Sequence, residues 1–72
     1  GGSDNLKVLE QVATSDEKNR VRAAAVEAIG EVRAERSEEI LRAVIESDPD
    51  EGVKRAAEEA LEDLQRGGFD DE

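Results

Sequence analysis

The stretch Val21-Arg22-Ala23-Ala24-Ala25-Val26-Glu27-Ala28-Ile29 returns without a gap, thirty-two residues later, as Val53-Lys54-Arg55-Ala56-Ala57-Glu58-Glu59-Ala60-Leu61. The same offset holds outside the quoted segment. Upstream, Leu9, Val12, Ser15 and Asp16 fall on Leu41, Val44, Ser47 and Asp48; downstream, Val32 falls on Leu64. Self-similarity at one fixed period of this size marks stacked repeats, in which no unit can bury its apolar face alone. The two units cover residues 5–36 and 37–68, with residues 69–72 left as an acidic tail of a single domain.

Within the units the apolar residues follow the helical period. Val21, Ala24, Ala25, Ala28, Ile29 and Val32 share the i, i+3, i+4, i+7 spacing, as do Val53, Ala56, Ala57, Ala60, Leu61 and Leu64. No window alternates with the period of two that a strand requires. This predicts an all-α chain with helices near 4–14, 18–34, 37–46 and 49–66, a shorter helix then a longer one in each unit. The breaks carry start and stop signals. Asp48-Pro49-Asp50-Glu51 reads as an N-cap, a proline at the first helical position and an acid at the third, and Gly67-Gly68 reads as a stop. Asp16 before Glu17, and Ser37 before Glu38 and Glu39, are weaker versions of the same start.

Composition excludes more than it selects. Twenty acids against ten bases give a formal charge of -10, which repels nucleic-acid phosphates and anionic headgroups, so neither nucleic acid nor a membrane surface is an expected partner. There is no cysteine and no histidine, so thiolate chemistry, imidazole catalysis and the common zinc sites are absent. Asp48, Asp50 and Glu51 only superficially suggest a calcium loop, because Gly52 comes too early and no ligand follows at the twelfth place. Paired carboxylates such as Glu38-Glu39 and Glu62-Asp63 read as solvated faces, and no catalytic residue, metal site or cofactor is expected. No apolar run approaches the roughly 20 residues that span a bilayer, and a cytoplasmic protein is the expectation. The acid-rich surface also resembles that of proteins adapted to high intracellular salt.

The order Asp16, Val21-Arg22, Ala24-Ala25, Ala28-Ile29-Gly30, recurring from Asp48 to Ala60-Leu61, resembles the short HEAT-like repeat, of the kind also found in phycobilin-lyase-like proteins. The tetratricopeptide and ankyrin signatures are missing. The resemblance implies two helix-turn-helix repeats, four helices in all, forming a segment of an α-α superhelix with the second helices lining a concave side. It also implies an inter-repeat ladder in which Asp16 pairs with Arg22 and Asp48 with Lys54. The plainer alternative makes both aspartates helix caps and both cations solvated. Two repeats leave two open ends, which a second copy of the chain could cover.

The units are unequal on one side. Ala23, Val26 and Gly30 are matched by Arg55, Glu58 and Glu62. Ala23, Val26, Glu27 and Gly30 either belong to a partner surface, continued by Arg55, Glu58, Glu59 and Glu62, or are apolar because their helix is central. The expected function is a non-enzymatic protein-protein interaction scaffold that binds a basic protein partner or a second copy as a homodimer. The alternatives are a designed or excised repeat unit without a ligand, to which the Gly1-Gly2-Ser3 start points, and a lyase-like chromophore-handling protein, suggested only by the resemblance.

Overall fold

Two turns of the chain have the same chemistry thirty-two residues apart. In the first, the Lys18 amide donates to Asp16 Oδ1 at 2.8 Å; in the second, the Asp50 amide donates to Asp48 Oδ1 at 2.9 Å. Each is an Asx turn, in which a short carboxylate replaces a backbone acceptor two residues on and reverses the chain. Four helices run between these turns and one linker: α1 (Gly2–Ser15), α2 (Asn19–Glu31), α3 (Glu35–Ser47) and α4 (Glu51–Phe69). The computed structural model describes residues 2–69, with side chains described for 5–66. All regular structure among the described residues is helical, and no helix there is long and apolar enough to cross a membrane.

The helix ends differ from expectation for local reasons. Pro49 lies ahead of α4 and not in its first turn, and Asp48 before it is extended at φ -77, ψ 131, the region that a following proline favours. The α4 cap is therefore Asp50, whose Oδ2 accepts from the Val53 amide at 3.0 Å. The α2 cap position is Lys18, which makes no side-chain cap bond, so Asp16 closes a turn and does not cap the helix. α2 stops at Glu31, where Val32 becomes extended, and α3 starts two residues before Ser37. Ser37 is fully buried, and its hydroxyl donates to the Val32 carbonyl just past the end of α2, which also accepts from the Ala34 amide. α4 continues through Gly67-Gly68 to Phe69; each glycine costs the helix about 1 kcal/mol but does not forbid it. Apart from Phe69, the expected acidic tail of 69–72 lies outside the described residues.

α1 and α3 form one layer, α2 and α4 the other, and the α2–α4 packing is the most extensive, giving a slab of 40 × 28 × 16 Å. The core is aliphatic: Leu6, Ile29, Ile40, Leu41, Val44, Val53 and Leu64 with Ala13, Ala25, Ala57 and Ala60. Each fully buried Val, Leu or Ile contributes about 1.5–3 kcal/mol, so a core of this size has little to spare. The buried stripe of α2 is rotated from the expected one. Val26 is completely buried and Val21 is 38% exposed, with Ala24 exposed as well. The cause is that α2 packs against α1, α3 and α4 together, so its apolar side is wider than one stripe and is centred on Ala25, Val26 and Ile29.

Candidate functional site

Arg22, in the first turn of α2, reaches across the repeat boundary to the α3–α4 turn. Its Nε donates to Asp48 Oδ2 at 2.7 Å and its Nη2 to Asp48 Oδ1 at 3.1 Å, a two-pronged guanidinium–carboxylate pair. Nη1 turns back to the Asp16 carbonyl at 2.8 Å. The Asp16 carboxylate is not its partner, and no ion pair joins Asp48 to Lys54 among the described residues. The rung therefore runs from repeat one to repeat two, not within each repeat. Both partners are largely covered, the side chains 12% and 6% exposed. Burial pushes the Asp48 carboxyl up, but the Arg22 hydrogen bond, the Asp50 amide and the Arg22 charge outweigh it and hold it below the ordinary carboxylate range. The hydrogen bond to Asp48 raises Arg22 in turn.

A second cross-repeat bond stands beside the first: Asn19 Nδ2 donates to Asp50 Oδ1 at 2.9 Å, which, with the Val53 amide, lowers Asp50. A third, exposed pair ties α3 to α1 through Arg36 and Glu10 at 2.6 Å. Asn19 and Arg36 carried no signal in the sequence, because a polar residue on an acidic helix is ordinarily solvated, and Ser37, read there as a weak helix start, instead bonds the Val32 carbonyl. A small pocket of about 140 Å³ lies against the main rung, lined by Ala13, Thr14, Asp16, Arg22, Val44, Ser47, Asp48 and Pro49. Removing Asp48 deletes two prongs and the turn bond and leaves a covered guanidinium unpaired. We expect Asp48→Ala to cost about 2–3 kcal/mol in urea unfolding. Asp48 and Asp50 are both lowered on folding, so their contribution is complete above the unfolded carboxylate value and is lost as pH falls through the folded one. Stability should therefore drop in the acid range, below about pH 4, and less steeply in Asp48→Asn.

Between α2 and α4 runs a groove of about 260 Å³, lined by Glu27, Gly30, Glu31, Ala56, Glu59, Ala60 and Asp63. Its floor is narrow because the helices nearly touch there: a Cβ on Gly30 would lie 2.7 Å from the Cβ of Ala60. Its rims are carboxylates, with no cation in the lining, although Asp63 pairs with Arg66 at 2.6 Å along its own helix. Among the described residues no group of acids is close enough to hold a metal ion.

Paired helices, a carboxylate turn in each unit and a guanidinium bridging one unit to the next point to a stacked helical repeat, and the profile for HEAT repeats matches residues 1–62. The chain belongs to the HEAT repeat family. The match is to HEAT repeats in general and does not single out the phycobilin-lyase kind. Neither the curated proteins nor the solved structures give a match.

Placed on this HEAT repeat pair, the expected partner surface divides. Val26 is fully buried, Ala23 is half-buried against the core, and Gly30 lies against Ala60 of α4 at the groove floor, so these three do not form a continuous outer face. They are apolar because their helix is central. Glu27 and Glu59 line the α2–α4 groove with Gly30 at its floor. Arg55, Glu58 and Glu62 are exposed, and their helical register places them on the outer side of α4. The same three positions are small or apolar in repeat one and charged in repeat two.

Proposed function

We propose that this HEAT repeat pair is a non-enzymatic interaction module whose α2–α4 groove receives a basic segment of a protein partner. The observation that carries the reading is the groove itself: a floor of Gly30, Ala56 and Ala60 that lets a chain approach closely, between rims of Glu27 and Glu31 on one helix and Glu59 and Asp63 on the other. HEAT repeats are commonly protein-interaction scaffolds, and a net charge of -10 favours encounter with a cationic ligand. The mechanism is complementarity of shape and charge; no bond is made or broken.

The test is a fluorescence-anisotropy titration with a lysine- and arginine-rich peptide at low salt and again near 0.15 M. Glu27→Lys with Glu59→Lys should weaken binding by about tenfold or more, with the affinity of the unaltered chain falling as salt screens the pairs. Glu46→Lys on α3, exposed and outside the groove, should change it by less than about threefold. Equal losses in both variants would show that net charge alone attracts the peptide, and the groove reading would fail.

A further inference from the structure

The two ends of the stack are not alike, and the internal repeat supplies the comparison. Several apolar positions of α3 and α4 that are covered in repeat two have aliphatic counterparts in α1 and α2 that are not. Val53 is 1% exposed and its counterpart Val21 is 38% exposed; Ile40 is 3% exposed and its counterpart Val8 is 59% exposed. The difference is not in the residue types, which are aliphatic in both units, but in whether a neighbouring helix covers them. Ala24 and Ala28 likewise correspond to Ala56 and Ala60, the small residues of α4 that let α2 come close.

The main polar contact of the junction has its counterpart as well, although Asp50, which receives Asn19, is matched by Lys18. Asp48 closes its turn through Oδ1 and receives Arg22 from the preceding repeat. Asp16 closes the equivalent turn through Oδ1, yet among the described residues no guanidinium reaches its carboxylate. It is half of a rung.

The opposite end is built differently. Where repeat one has Ala23 and Val26 packed into the core and Gly30 against Ala60 of α4, repeat two has Arg55, Glu58 and Glu62, all exposed. At the Gly30 position even a Cβ would meet the facing alanine at 2.7 Å, so Glu62 could not occupy it. A second copy of this chain therefore cannot repeat this close approach head to tail. Local charge sets the two ends apart as well: residues 1–22 hold four acids and four bases, Asp4, Glu10, Asp16 and Glu17 against Lys7, Lys18, Arg20 and Arg22, whereas the rest is strongly acidic.

We propose that the α1–α2 end is an acceptor face for one further HEAT repeat hairpin, stacked in register ahead of α1. The second helix of that hairpin presents small residues to Ala24 and Ala28 and an arginine to Asp16. Val8 and Val21 become interior when it docks. The occupant follows from continuity with the junction already present, whose chemistry it repeats, and does not depend on what the α2–α4 groove binds.

The experiment keeps the whole chain and duplicates residues 5–36 in tandem, so that the second copy of α2 has a matched hairpin in front of it. Amide exchange in that helix, around Val21–Ala25, should slow by about tenfold or more relative to the unextended chain. Asp16→Asn, which retains the turn bond but loses the charge, should lower the unfolding midpoint of the extended chain when placed in the second copy and leave that of the unextended chain nearly unchanged. Val21→Glu in the second copy should remove the added protection. Unchanged exchange, or an equal effect of Asp16→Asn in both chains, would overturn the proposal. So would sedimentation of the unextended chain as a dimer that Val8→Glu and Val21→Glu each dissociate, since a second copy would then be the occupant.

Discussion

Val26→Glu should leave the chain without a cooperative unfolding transition at 25 °C, as followed by helical circular dichroism during a urea titration. Val26 has no exposed surface, so the substitution removes one fully buried aliphatic side chain, about 1.5–3 kcal/mol, and forces a carboxylate into a site lined by Ile, Leu, Val and Ala. The second effect is the larger. An unpaired carboxylate in such surroundings costs several kcal/mol even after its proton affinity rises to neutralise it. A domain of this length has about 5 kcal/mol to lose. Val8→Glu is the matching control: Val8 is 59% exposed, and its midpoint should stay within about 0.5 kcal/mol of the unaltered chain. A Val26→Glu chain that folded normally would mean that α2 does not lie against α4 as described.

The next largest effect is expected at Gly30. In an exposed helix interior, replacing glycine by alanine stabilises by about 1 kcal/mol. Here the sign should reverse, because the new Cβ would sit 2.7 Å from Ala60 Cβ, where carbon atoms are comfortable only near 3.5–4.0 Å. Both helices must shift, and α2–α4 is the most extensive packing in the fold. We expect Gly30→Ala to cost about 1–2 kcal/mol net and Gly30→Val about 3 kcal/mol. Ala60→Gly removes the opposing methyl, so combining it with Gly30→Ala should recover most of the loss attributable to the clash. If Gly30→Ala stabilised the chain alone, the close approach would be disproved.

The repeat was legible because an ungapped thirty-two-residue match is a property of the string itself and does not depend on packing. The rotation of α2 was not. Between Val21 and Ile29 every residue but Arg22 and Glu27 is apolar, so the helix has no single stripe, and only the positions of three neighbours decide that Val26 goes inside and Val21 does not. Asp48 and Asp50 were equally ambiguous as caps: both are carboxylates, they flank one proline, and the choice rests on backbone angles that the proline imposes on Asp48. The rung was half legible. Its residue types stood out, but a spacing of six residues suggested Asp16 with Arg22, whereas the geometry pairs Arg22 with Asp48, twenty-six residues on. Local spacing carries no information about which neighbour a long side chain will choose across a stack.

α2 touches all three other helices, and its interior residues Ala25, Val26 and Ile29 belong to the core of both repeats at once. The chain has no seam at which one repeat could melt and leave the other standing, because loss of α2 deprives α1 of its partner and uncovers α4 along the same line. A sequence with two periods is thus expected to unfold as a single thermodynamic unit. In longer arrays a lost repeat shortens the folded stretch; here the shared helix should confine partial opening to fraying from the ends.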